Sequence, residues 1–393
     1  MYVERNITDR FSRLERIQRM VAVVGPRQAG KTTFLQHQMK GRDASYVLFD
    51  RLVVRDLFEK DVEKFEMEYL TGRELAVLDE VQYCKEAGRK LKYLVDTGSK
   101  LWLTSSSERV LAKEVLAHLV GRVVVLRLLP FDLDEFLRAR GHRVISELIL
   151  EKAVWEHMLY GGYPLVVLAE DGRTKQDLLR SILETMLLKD VALTFGIDKT
   201  AELERLARYI ALSVGSRVDY QAMCSTLELT YPTLKKYLDA MEKSYLTVTV
   251  LPFFRNKRSE ISRQPKIYFM DPGLRNASAG RFITEPEGPA FENYVLTELL
   301  KLGHTPRYWR SKGNSEVDFV VETEDGVVPV EAKLRVVPGR VTRGLRSFIT
   351  AFKPQQAFMV GYRADHGKQR MDGAQVMFTD VAGLREGIGR GTG

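Results

Sequence analysis

Lys31 and Thr32 follow Gly30, and Gly25 stands five residues earlier, giving the spacing Gly-x-x-x-x-Gly-Lys-Thr. An amine, a hydroxyl and two glycines in that order suit a chain of phosphates. Glycine lets backbone N–H groups turn toward phosphate oxygens, and the positive end of a following helix strengthens the attraction. Lys31 would reach the β- and γ-phosphates, and Thr32 would place its hydroxyl on Mg2+. Pro26, Arg27, Gln28 and Ala29 make the body of the loop, and Thr33 completes the candidate nucleotide-binding stretch. ATP and Mg2+ are the expected cofactors.

A second apolar run, ELAVLDEVQY, ends in Asp79 and Glu80. A carboxylate at the end of a buried strand needs a purpose, because burying its charge without a partner is costly. Asp79 would hold Mg2+ through its water shell, and Glu80 would orient or deprotonate the attacking water. A third run, KLWLTSSS, ends in hydroxyls, of which Thr104 or Ser105 would sense the γ-phosphate from a strand between the other two. Lys31, Glu80 and Ser105 are thus the expected catalytic residues in this core.

The elements that position these groups are short. Met20 to Val24 read as a buried strand and Thr33 to Met39 as the helix after it. The run GPRQAGKTT, then LDEVQ, LTSSS and LVGRVVVLRLLPFDLDEFL, resembles prokaryotic AAA+ ATPases that carry a C-terminal domain of uncharacterised function. The resemblance continues at YGGYP, residues 160–164, and covers nearly the whole chain. It implies a P-loop ATPase with an arginine that reaches a neighbouring subunit's γ-phosphate. Arg122 stands in that place and implies a homo-oligomer, although it also reads as a charge at a strand start.

The chain has 393 residues, 45% of them hydrophobic, and a formal net charge of +8. That length predicts several domains, and a basic chain favours polyanionic partners. No run approaches a membrane span, so no membrane association is expected. The N-terminus lacks the apolar core of a secretory signal, and the two cysteines have no metal-ligand spacing. A reduced, cytoplasmic protein is expected. The six histidines do not cluster, so neither a zinc site nor a histidine-based triad is expected.

The expected fold class is α/β, in four parts. Residues 1–144 form the AAA+ core, and 145–200, helical in pattern, form a lid over the nucleotide. Residues 201–272 read as three helices and a hairpin with a basic tip, a winged helix-turn-helix. Such a module gives Thr233, Lys235 and Lys236 to the major groove, and Arg255, Lys257 and Arg258 to phosphates, so DNA is the expected partner. The same lysines also suit an exposed face of a protein-binding module.

Residues 273–393 bring a second candidate centre. In SEVDFVVETEDGVVPVEAKL, an Asp325-Gly326 turn would set Asp318 opposite Lys333, with Glu331 on the same face. That set resembles the PD-(D/E)xK nuclease fold, a restriction-endonuclease-like α/β domain. The resemblance gives Asp318 and Glu331, with Glu292 from the preceding helix, to Mg2+, and Lys333 to the water or phosphate. Acid and lysine paired across strands are also an ordinary stabilising device. Trp309, Arg310 and Lys312 suit contact with a nucleic-acid backbone.

The leading reading is a DNA-associated ATPase that remodels or processes DNA, branched or repair DNA included. The alternatives are an ATP-driven switch acting on protein partners and an ATP-gated, metal-dependent nuclease.

Overall fold

The computed structural model describes residues 1–81, 84–106, 119–142, 146–254 and 264–391. The β-branched run at 20–24 is too short for a stable helix and stops at Gly25-Pro26, so it forms β1 (Met20–Val24). Around it lie β2 (Ala44–Leu48), β3 (Leu75–Asp79), β4 (Leu101–Ser105) and β5 (Val123–Arg127), in the order β2-β3-β4-β1-β5. All are parallel, and β4 separates β1 from β3, as the hydroxyl-tipped run required.

Both faces of this sheet are covered, because successive side chains of a strand point to opposite sides. Met20, Ala22 and Val24 join Phe49, Phe58 and Leu91 on one face. Val21 and Val23 join Phe11, Phe34 and Trp102 on the other. Phe11 seats helix Thr8–Ile17 with edge-on contacts to Phe34 and Trp102.

The middle of the chain does not break into lid and winged module at residue 200. Tyr163, Leu179, Ile182 and Val191 share one core with Leu203, Ile210, Leu234, Met241 and Leu274. The short amphipathic helices here each have one apolar face, and covering those faces takes all of them together. Helix Pro272–Ala279, expected in the last domain, packs in this core as well. Three helices (Thr200–Leu212, Tyr220–Leu227, Tyr231–Lys243) precede the antiparallel pair β6 (Thr247–Val250) and β7 (Lys266–Phe269).

The expected lid helix is α-helical over Gly172–Thr185 and then widens into a π-helix over Met186–Leu193. Its buried apolar pairs, Met186 with Val191 and Leu187 with Ala192, recur at five residues rather than four. That spacing suits the π form, which is rare and concentrates at functional sites.

The C-terminal sheet contains β8 (Arg307–Arg310), β9 (Glu316–Thr323), β10 (Gly326–Val336), β11 (Gln356–Ala364), β12 (Gly367–Met371) and β13 (Ala374–Thr379). Its order is β12-β13-β11-β10-β9-β8, with β10, β11 and β13 parallel and the outer pairs antiparallel. The hairpin register differs from the expected one by two residues. Gly326 pairs with Thr323, so Glu324 and Asp325 make the turn. Gly326, at φ +123°, supplies the left-handed position just after the turn instead of within it. Continuing the ladder one step sets Asp318 opposite Glu331. A shift of two keeps every side chain on its expected face, so the candidate centre survives.

Buried ions join the core to the C-terminal unit. Leu133 N–H donates to Glu298 Oε2 at 3.0 Å, and Arg385 bridges Glu298, Asp134 and Asp132 at 2.6, 2.6 and 3.0 Å. Burial acts to raise the Asp132 carboxyl, but Arg385 and hydrogen bonds hold it down at about 2. No described helix is long and apolar enough to cross a membrane.

Candidate active site

The parallel strands end at one edge, so Gly25, Asp79 and Ser105 meet where an open α/β sheet offers its crevice. Gly25 has no substitute there. A side-chain carbon would stand 2.1 Å from the Leu128 carbonyl oxygen, and its φ is +153°. Gly30, at φ +95°, caps helix Lys31–Gln38, which points its N-terminus into the crevice.

Lys31 folds back into the loop and donates to the carbonyls of Gly25 and Pro26 at 3.0 and 2.9 Å. Burial pushes its amine below the usual range, against the pull of Glu80, Asp79 and Asp190. Thr32 donates to both Asp79 oxygens, at 3.2 and 3.0 Å. The Tyr46 and Thr104 hydroxyls also donate to Asp79. This set of hydroxyl and carboxylate oxygens fits a hard cation such as Mg2+, with Thr32 and Asp79 as the residues to hold it.

Glu80 adopts φ +58°, uncommon for a residue with a side chain and a feature of functional sites. Its Oε2 accepts from Ser106 N–H and Oγ at 3.3 and 3.1 Å, while its own N–H donates to Thr104 Oγ1 at 2.9 Å. The hydroxyls beside the acidic pair are therefore Thr104 and Ser106, not Ser105. Strand alternation turns Ser105 to the other face, and its carbonyl accepts from Gly25 N–H at 3.3 Å.

Two further residues, Arg5 and Asp190, reach this crevice from a distance. Arg5, only 5% exposed, donates to the Ala29 carbonyl at 2.9 Å and to Leu129 O at 2.6 Å, and pairs with Glu135 at 3.0 Å. Arg27 pairs with Asp190 of the π-helix at 3.1 Å. Burial pushes the Asp190 carboxyl up, with Arg27 acting in the opposite sense. The Asp190 carbonyl in turn accepts from Ser244 Oγ at 2.8 Å, tying the loop's partner to helix Tyr231–Lys243. Tyr46 and Arg5 lack a local motif, whereas the adjacent Lys189 and Asp190 are legible in the sequence as a pair resembling the family's, or equally as a surface salt bridge.

Arg122 sits at the start of β5, the sheet end opposite its own phosphate loop, and pairs with Asp96 at 2.8 Å. Thr233 bonds the capping Thr230, Lys235 lies over Tyr220, and Lys236 donates to Gly196 O at 2.8 Å. Arg255, Lys257 and Arg258 lie outside the described residues.

The C-terminal centre gathers part of its expected set. Lys333 Nζ lies 3.2 Å from Asp318 and 2.9 Å from Glu331. Glu292 is drawn aside by Lys266 at 3.2 Å and Tyr268 OH at 2.5 Å. Burial, reinforced by Asp318, raises Glu331 to about 7. Among the described residues, no three acidic, histidine or cysteine side chains are arranged to hold a metal ion. The expected Mg2+ set of Glu292, Asp318 and Glu331 is thus not assembled, because lysine amines take up the carboxylates.

Three family models match in succession: an AAA domain over residues 17–137, and two domains of unknown function, DUF8612 over 151–284 and DUF4143 over 287–379. An uncharacterized protein of Haemophilus influenzae is 26% identical over 270 residues, 66% of this chain and 66% of that protein. One from Methanocaldococcus jannaschii is 26% identical over 323 residues, 77% of this chain and 72% of that one. One from Mycobacterium tuberculosis is 26% identical over 380 residues, 93% and 81% of the two chains. The Walker-type ATPase of Pyrococcus abyssi aligns with a TM-score of 0.49 at 15% identity, covering 70% of this chain and 96% of that one. The AAA-domain match and the geometry of the crevice define an AAA-like P-loop ATPase.

Proposed function

We propose that this ATPase is DNA-associated, and that nucleotide turnover shifts its C-terminal units against the core to remodel or process DNA. One observation carries the reading. The phosphate loop is tied through Arg5, Glu135, Asp132 and Arg385 to a C-terminal unit whose Arg340, Arg343 and Arg346 are exposed. None of these three side chains has a hydrogen-bond or ion-pair partner among the described residues, which suits a phosphate backbone. ATP would bind with Lys31 and the loop N–H groups on its phosphates, Thr32 and Asp79 on Mg2+, and Glu80 facing the attacking water. The helix–helix–helix–hairpin order of residues 200–269 supports a winged helix as a second DNA-contacting part, with Lys235 on its third helix.

The test measures binding to duplex, single-stranded and junction DNA across a salt series, with ATPase rates beside it. Salt-sensitive binding and a DNA-dependent rate are expected. Replacing Arg340, Arg343 and Arg346 by Gln should flatten the salt slope by about 0.9 per lost contact. Lys31→Ala should abolish turnover and leave DNA binding in place. No binding to any form, with an unchanged rate, would remove DNA from the account and favour a switch acting on proteins.

The convergence of Asp318, Glu331 and Lys333 favours a second reading, an ATP-gated nuclease. Cleavage of DNA with Mg2+ or Mn2+ that disappears in Lys333→Ala would support it.

A further inference from the structure

Lys266 belongs to β7 of the middle unit, yet its side chain is 3% exposed and ends among the carboxylates of the C-terminal unit. Its amine lies 3.2 Å from Glu292 and 2.6 Å from Glu316. Tyr268, two residues on, donates to Glu292 on the same oxygen that Lys266 contacts. The hairpin is fixed there by backbone bonds, Phe253 N–H to Tyr308 O at 2.6 Å and Tyr308 N–H to Leu251 O at 3.0 Å.

Four carboxylates, Glu292, Glu316, Asp318 and Glu331, therefore share two amines, Lys266 and Lys333. The Lys266 amine is within ion-pair distance of two of the four, and a lysine amine ordinarily carries its charge near pH 7. One acceptor in the cluster is left over. Glu331 is 4% exposed, and among the described residues its buried Oε2 has no hydrogen-bond partner. A buried acceptor left bare is costly, and a cation beside it would remove that cost.

We propose that Lys266 is an internal cation that takes the place of a divalent metal among Glu292, Asp318 and Glu331, and that a metal ion is admitted there only when this amine is removed. The proposal is independent of whether DNA is the partner. An ammonium and a divalent ion compete for the same oxygens, and the tethered amine has the advantage of high local concentration. With the amine gone, Glu292 is free to turn toward Asp318 and the bare Glu331 oxygen, making an all-oxygen set of the kind Mn2+ and Mg2+ accept.

The test measures Mn2+ binding to the full chain without nucleotide, by the loss of the free-ion electron paramagnetic resonance signal. Wild type should show no site that Asp318→Asn removes. Lys266→Met should gain one Mn2+, bound at least tenfold more tightly than any wild-type site, and Lys266→Met/Asp318→Asn should lose it. Should Lys266→Met fail to fold, Glu316→Gln loosens the amine and keeps the three ligands, and a gain of several-fold is expected. The proposal is overturned by a wild-type Mn2+ site that Asp318→Asn abolishes. It is equally overturned by a folded Lys266→Met, or a folded Glu316→Gln in its stead, that gains no ion.

Discussion

Arg27 of the phosphate loop is ion-paired with Asp190 of the π-helix, Nη2 to Oδ1, at 3.1 Å. The pair sets a cation suited to triphosphate against a carboxylate that would repel it. Asp190 also acts electrostatically on Lys31 and, through its carbonyl, holds Ser244. A nucleotide phosphate that took Arg27 would have to draw it from Asp190, and through Asp190 the middle unit would then register the loop's occupancy.

Asp190→Asn should therefore bind ATP more tightly. A partly exposed pair is worth about 1 kcal/mol, or about fivefold in affinity. Titration with a fluorescent ATP analogue measures it. Weaker binding in the variant would show that Asp190 supports nucleotide instead of competing with it.

Arg5 should matter more to stability than its place near the N-terminus suggests. Arg5→Ala leaves Glu135 buried and without its cation, a change that costs about 3–5 kcal/mol. Burial already pushes the Glu135 carboxyl up. Urea unfolding should show the loss, and adding Glu135→Gln should recover part of it. An Arg5→Ala protein as stable as wild type would break the proposed link from loop to C-terminal unit.

His157 sets a pH dependence. It is fully buried, with Nε2 3.0 Å from Phe131 O and Nδ1 3.1 Å from Tyr294 OH. A carbonyl can only accept, so Nε2 carries the proton and Nδ1 accepts from the tyrosine. Burial pushes the ring well below its usual range, so the folded protein keeps it neutral while the unfolded chain protonates near 6.5. The contribution is intact above about pH 6.5 and falls by about 1.4 kcal/mol per pH unit below it. Melting curves from pH 7.5 to 5.5 should slope less in His157→Gln. An equal slope in both proteins would place the acid sensitivity elsewhere.

The nucleotide loop was legible because a phosphate grip is local: two glycines, an amine and a hydroxyl within eight residues carry it. Asp79, Glu80 and the hydroxyl-ended strand were legible for a related reason, since each closes an apolar run. The choice among the hydroxyls was not. Which of Thr104, Ser105 and Ser106 faces the acids depends on how β4 pairs with its neighbours. Arg5 was beyond any local pattern, and the partner of Asp190 was too, for the two meet the loop across 24 and 163 residues.

In the C-terminal unit, alternation along two strands was enough to put Asp318, Glu331 and Lys333 on one face, even with the turn misplaced by one residue and the pairing shifted by two. The fate of Glu292 was not readable there. A helix pattern gives its position but not the lysine that reaches it from another unit. By itself, then, the sequence determined the short-range chemistry: the phosphate loop, the acid-tipped strand and the acid–lysine face. Tertiary structure alone decided how the charges are compensated, joining Arg27 to Asp190, Arg5 to Glu135 and Lys266 to Glu292. The reason is physical. A charge forced out of water must find an opposite one, and folding, not chain order, determines which one is near.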